Sequence, residues 1–145
     1  MPLPIDPLRG PLEAALAAGP VVLSAPTGSG KSTQVPRWLS DHGPVLVVEP
    51  RRVACQALAT RVAELEGLTA GREVGWIVRD DARADPDARV VFVTPGVALR
   101  MARGGADCRR DEVPGAGSWD RFTTVVLDEF HERNLDLDLL LALLL

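Results

Sequence analysis

Val21-Val22-Leu23-Ser24-Ala25-Pro26-Thr27-Gly28-Ser29-Gly30-Lys31-Ser32-Thr33 is the stretch from which the rest of the chain can be read. Residues 21–25 are mostly apolar, which predicts a short buried strand. Gly28 and Gly30 permit backbone angles that a side chain forbids, so successive N–H groups can turn toward one anion. A helix expected over 31–40 adds its positive N-terminal end. Strand, glycine-bearing loop and helix-opening Lys-Ser together make a phosphate-binding loop. Ala25, Pro26, Thr27 and Ser29 complete the cradle, with Ala25 where a first glycine is usual. Of the sixteen Lys and Arg residues, Lys31 is the sole lysine. A compact ammonium on a flexible stem reaches β- and γ-phosphates where a planar guanidinium fits poorly. Ser32 offers a hydroxyl to Mg²⁺, and Thr33 extends the phosphate contacts. The bland alternative is a Gly/Ser loop capping a helix. The apolar run before it and Lys-Ser-Thr within it argue against that.

Upstream, Leu8, Leu12, Ala15 and Leu16 fall at helical spacing over residues 7–18, and Gly19-Pro20 ends that helix. Downstream, Gly43-Pro44 precedes an apolar strand over 45–48, which Pro50 ends. A helix is expected over 52–66, stopped by Gly67. Further strands are expected at 74–78, 90–93 and 123–127, with a charged turn region at 80–87. A helix is expected over 96–103, and a last one from about Asn134. Residues 104–118 carry Gly, Pro and charge and read as a surface insertion. Apolar strands alternating with helices predict an α/β fold: a parallel sheet with helices on both faces. Ligands of such sheets bind at the carboxyl ends of the strands.

Asp128-Glu129-Phe130-His131 directly follows the expected strand over 123–127. Asp128 there can hold Mg²⁺ through its water shell, and Glu129 can orient and deprotonate an attacking water. Adjacent acids at the end of a buried strand are costly without a cation nearby. His131, placed just after them, reads as a relay between nucleotide and bound strand. The alternative is an ordinary acidic turn between strand and helix.

Net charge is −4 and the chain is 145 residues long, which suits one domain and gives no global basic character. Any nucleic-acid contact must then come from a local patch: Arg51-Arg52, Arg100 with Arg103, or Arg109-Arg110. Cys55 and Cys108 lack the spacing of a zinc site and read as reduced thiols of a cytoplasmic protein. The N-terminus lacks the charged and apolar regions of a signal peptide. The apolar run at 139–145 is too short to cross a bilayer and reads as a buried helix. Trp38, Trp76 and Trp119 read as packing residues.

Asp128-Glu129-Phe130-His131-Glu132-Arg133 resembles motif II of the DEAH-box group of superfamily 2 helicases, with Phe130 in the usual Ala position. Residues 26–32 are similar to that group's motif I. Glu49-Pro50-Arg51-Arg52-Val53-Ala54 resembles motif Ia, and Thr94-Pro95-Gly96 resembles motif Ib. Their order and spacing agree over nearly the whole chain. Phe130 and the Leu3-Pro4-Ile5-Asp6 opening resemble the bacterial HrpB branch, from which Pro95 and the 104–118 insertion depart. The resemblance implies a P-loop NTPase fold, the first RecA-like lobe, with ATP and Mg²⁺ as cofactors. It implies that Arg51, Arg52, Thr94 and Gly96 contact the phosphates of single-stranded nucleic acid, RNA in this group. For Arg51-Arg52 a solvated helix start is the alternative. Arg61 matches a position that stacks on adenine in related enzymes, and an exposed helix arginine is the equal alternative. No Gln or aromatic residue precedes the phosphate loop to read the adenine edge, so nucleotide selectivity is expected to be loose.

The same resemblance implies a Ser-Ala-Thr motif with its strand and a second RecA-like lobe, neither of which follows Asp128-Glu129 here. The lobe is therefore expected to be incomplete at its C-terminus, marginal and prone to aggregate. The rival functions are a P-loop kinase or ATPase unrelated to nucleic acid, and a module that holds nucleotide without turnover, which is the behaviour expected of these 145 residues in isolation.

Overall fold

The computed structural model describes residues 2–103 and 119–145. A 3₁₀ turn at Asp6–Leu8 leads into α1 (Arg9–Ala18), and α2 (Lys31–Ser40) follows the glycine loop. β1 (Val45–Val48) connects through α3 (Arg52–Glu66) to β2 (Val74–Val78). β3 (Asp81–Arg83), β4 (Val90–Val93) and α4 (Pro95–Ala102) come next. A 3₁₀ turn at Trp119–Arg121, β5 (Thr124–Leu127) and α5 (Leu135–Leu144) complete the described chain.

The five strands form one sheet in the order β3-β2-β4-β1-β5. β1 is central and pairs in parallel with both β4 and β5, in register Val48↔Val93 and Val48↔Leu127. β2 extends the parallel sheet beyond β4. Alternation along each strand sends its side chains into two separate cores. Val45, Val47, Trp76, Phe92 and Val126 face the helices α1, α2 and α3. Leu46, Val48, Ile77, Val91 and Leu127 face α4 and α5. Strands buried on both sides need apolar residues at every position, which is why β1, β2 and β4 read as uninterrupted apolar runs.

The ends of the helices follow local chemistry. Gly67 stops α3 in the left-handed conformation, φ 66°. Asn134 caps α5 by accepting the Leu137 N–H at 2.8 Å. Cys55 is a free, buried thiol in α3, and burial pushes its pKa up to about 12. Trp38 and Trp76 are buried, as packing residues should be, while the Trp119 side chain and Cys108 lie outside the described residues. The expected insertion at 104–118 also lies outside them. No helix among the described residues is long and apolar enough to cross a membrane.

Three expectations need correction. Residues 21–25 form no strand: no described strand pairs with them, and Val22 is 97% exposed. Val21, Leu23 and Ala25 still pack against the α2–α3 core, so the segment keeps its hydrophobic contacts without a ladder. The sheet is also not purely parallel. β3 arises inside the expected turn region and pairs antiparallel with β2. Gly75 allows the close approach there, since a Cβ at that position would collide with the Arg83 carbonyl oxygen. Finally, α5 is only half buried. Leu137 and Leu140 are fully covered, whereas Leu139, Leu143 and Leu145 stand exposed.

Candidate functional site

The phosphate loop is built on backbone conformation. Gly28 and Gly30 have φ of 79° and 95°, in the region that glycine alone enters freely. Ser29 N–H donates to the Pro26 carbonyl at 3.1 Å, which tightens the loop. Gly30 is the N-cap of α2, and no side chain caps that helix, so the Lys31 and Ser32 N–H groups are available to an anion, while the Thr33 N–H donates to the Gly30 carbonyl at 3.3 Å. Lys31 Nζ folds back to donate to the Ala25 carbonyl at 3.3 Å. Thr33 Oγ1 donates to the Gly30 carbonyl at 3.1 Å. The buried Ser29 hydroxyl has no hydrogen-bond partner among the described residues. Leu3 supports the loop from outside: a Cβ on Gly30 would lie 2.8 Å from Leu3 Cδ1. Sequence reading assigned Leu3 no such role, because nothing in an isolated Leu-Pro marks what it packs on.

The acids lie at the carboxyl end of β5. The ladder runs one residue past the strand, with Asp128 N–H donating to the Val48 carbonyl at 2.9 Å. Asp128 Oδ1 accepts the Glu129 N–H at 2.9 Å, while Oδ2 is buried without a partner among the described residues. Glu129 has φ 52°, a left-handed conformation that disfavours a side-chain-bearing residue, and such strain concentrates at functional turns. The turn closes with Glu132 N–H donating to the Glu129 carbonyl at 2.9 Å. His131 Nε2 stands 3.2 Å from Glu129 Oε2. Glu129, His131 and Glu132 offer ligand atoms within 4.8 Å of one another. Glu132 is already engaged by both Nε and Nη2 of Arg51, the former at 3.3 Å.

Glu49 joins this site, although sequence reading gave it no role. It follows β1 directly, its N–H donates to the Val93 carbonyl at 2.9 Å, and it is 2% exposed. Oε1 accepts the Arg51 N–H at 3.3 Å. Burial, and then the neighbouring Asp128 charge, push its pKa up to about 7. The available signal was an acid ending an apolar strand beside the strand that ends in Asp128.

The parallel ladders therefore bring Glu49-Arg51, Thr94 and Asp128-Glu129 to one end of the sheet. Thr94 is the N-cap of α4 and makes no side-chain capping bond. At Gly96 an added Cβ would meet only Asp136 Oδ2 at 3.9 Å, an ordinary contact. Arg52 is exposed and makes no ion pair with the described residues. Arg61 lies apart from this end, on α3, paired with Glu64 at 3.3 Å. It lines a cleft of about 610 Å³ with Gly30, Thr33, Gln34 and Asp6, so the cleft runs up to the phosphate loop. The loop and Asp128 belong to the same face of the sheet: Ala25 and Val126 pack into one core, and Asp128 follows Val126 by one alternation.

The chain matches the DEAD/DEAH box helicase family model over residues 12–136. It is 43% identical over 148 residues to the ATP-dependent RNA helicase HrpB of Escherichia coli (strain K12), covering 99% of this chain and 17% of that protein. It is 39% identical over 144 residues to the human ATP-dependent RNA helicase DHX33, covering 95% of this chain and 19% of that protein. Among solved structures, the crystal structure of Escherichia coli DEAH/RHA helicase HrpB superposes with a TM-score of 0.81 at 40% identity, over 98% of this chain and 17% of that one. The chain thus spans under a fifth of these relatives' length. The sheet and its helices match the RecA-like lobe of that helicase. This chain is a member of the DEAD/DEAH box helicase family.

Proposed function

We propose that this chain binds ATP with Mg²⁺ and that, joined to a second RecA-like lobe, it couples ATP hydrolysis to movement along single-stranded RNA. One observation carries the reading. Asp128 Oδ2 is buried without a partner among the described residues, at the carboxyl end of a strand, on the face that bears the phosphate-loop helix. An orphaned buried carboxylate oxygen on the same face of the sheet as an uncapped helix start suits a cation–polyphosphate pair. The oxygen donors of Asp128 and Ser32 suit a hard divalent ion. Mg²⁺ held by them would supply neutralisation of the nucleotide's phosphate charge.

Each residue then has a distinct task. Lys31 leaves the Ala25 carbonyl to neutralise phosphate charge. The N–H groups of the loop and of α2 hold the anion in place. Glu129 accepts the proton of the water that attacks the γ-phosphorus, the bond to ADP breaks and inorganic phosphate is released, and His131, 3.2 Å from Glu129, links this turn to the bound strand. Thr33 and Arg61 line the cleft where the base would stack. Arg51, Arg52, Thr94 and the backbone at Gly96 grip the strand's phosphates, a contact blind to sequence and sensitive to salt. The names of the relatives support ATP as the nucleotide and RNA as the strand.

ATP hydrolysis by this chain joined to a second RecA-like lobe, with and without single-stranded RNA, tests this. Lys31→Ala is expected to lower kcat by about a hundredfold or more while leaving the melting temperature unchanged. Undiminished hydrolysis in that variant defeats the reading. Hydrolysis indifferent to RNA would leave a nucleotide-binding ATPase and defeat the nucleic-acid part alone.

A further inference from the structure

We propose that Glu49 is a second carboxylate of the magnesium site, holding the ion's water shell together with Asp128. This rests on the reading of Asp128 given above.

Placement comes first. Val48 and Leu127 are partners in the ladder, so Glu49 and Asp128 are the next pair along two adjacent parallel strands. Hydrogen bonding continues through both, from Glu49 N–H to the Val93 carbonyl and from Asp128 N–H to the Val48 carbonyl. Val47 and Val126 face the α2–α3 side, and alternation puts Glu49 and Asp128 on that same side, the side of the phosphate-loop helix.

Burial is the second point. Glu49 is 2% and Asp128 8% exposed. Side-by-side buried carboxylates cannot both stay ionised without a compensating charge. Among the described residues, neither carboxylate has an ion-pair partner: Glu49 accepts one backbone N–H, and Asp128 Oδ2 accepts nothing. The guanidinium of Arg51, whose backbone N–H Glu49 accepts, is held by Glu132. The other charges acting on Glu49 from around it, Asp128, Glu129 and Glu132, are acids as well. A site closed to solvent, rich in carboxylate oxygen and short of positive charge calls for a hard divalent cation. Capping the Arg51 N–H alone would use one oxygen and would not require the carboxylate to be buried against Asp128. Glu49 acts through the ion's bound water and is a positioning residue.

The test measures Mn²⁺ and Mg²⁺ affinity of the ADP-loaded full chain, following free Mn²⁺ by its paramagnetic resonance signal and Mg²⁺ by competition. Glu49→Gln retains size and the acceptor for Arg51 N–H. It is expected to weaken cation binding about tenfold, to leave ADP affinity in EDTA unchanged, and to shrink the rise in melting temperature that Mg²⁺ gives the ADP complex. Glu49→Asp, which keeps the charge, should recover part of that loss. Asp128→Asn is the reference. If it weakens the cation and Glu49→Gln does not, the role of Glu49 is overturned and the site stands. If neither variant changes cation affinity, the site reading falls with it. Equal losses in Glu49→Gln and Glu49→Asp would mark Glu49 as structural and also overturn the proposal.

Discussion

Arg51 and Glu132, separated by 81 positions, are joined by two guanidinium–carboxylate contacts across the carboxyl edge of the sheet. Arg51 follows β1 and Glu132 follows the strained turn at Glu129, so the pair ties the proposed strand-binding segment to the proposed catalytic turn. The Arg51 side chain is 70% exposed, and exposed pairs of this kind add little to folding. Replacing Arg51 by Ala should therefore leave the melting temperature where it was. Affinity for single-stranded RNA should fall, and the dependence of log affinity on log salt should flatten by about 0.7 for the one phosphate contact removed. Fluorescence anisotropy of a labelled oligonucleotide over a salt series reads both. An unchanged slope would mean that Glu132 is the only group Arg51 serves.

The acid at the end of β1 gives the fold a pH dependence of definite sign. Glu49 has its pKa raised from 4.5 to about 7 in the folded chain, by burial and then by Asp128. The folded state thus binds the proton more tightly than the unfolded state. Its stabilising effect is fully present below about pH 4.5 and is lost as pH rises through about 7. Without divalent cations, urea unfolding should show a contribution on the order of 3 kcal/mol disappearing over that window. Glu49→Gln should remove it and leave the chain more stable than the parent at pH 8. A parent and variant with parallel pH profiles would contradict the assignment.

Gly30 meets two independent constraints, and a pair of substitutions separates them. Its φ of 95° strains any side chain, and Leu3 Cδ1 fills the space a Cβ would take. Gly30→Ala should destabilise by about 1–3 kcal/mol and weaken nucleotide binding. Adding Leu3→Ala relieves the steric contact but not the backbone strain. The double variant should regain packing without regaining the loop, so nucleotide affinity stays low in both. Full recovery on trimming Leu3 would show that crowding alone fixed glycine there.

Much of the scaffold was legible because local and global preferences agree in it. β1 and α3 end where Pro50 and Gly67 dictate, and α2 opens at the lysine of the glycine loop. What was not legible depends on partners. An apolar run becomes a strand only when a neighbour completes its ladder, and residues 21–25 have hydrophobic contacts without one. β3 was missed because Asp81-Ala82-Arg83 has no strand pattern of its own; it borrows one from β2. The uniform leucines of α5 cannot reveal which face is covered, since every face looks equally apolar. At the site, glycines and acids declared themselves through spacing. Leu3 and Glu49 did not, because their significance comes from contacts made across the fold.

The burial of Cys55 makes the molecule its own timekeeper. The sulfur sits between α3 and the end of β1, within reach of the Glu49 carbonyl at 3.7 Å and closed to solvent. An alkylating reagent can reach it only when the helix lifts from the sheet. In a chain with Cys108 changed to Ser, the labelling rate of Cys55 therefore counts excursions of that helix rather than the intrinsic reactivity of a thiol.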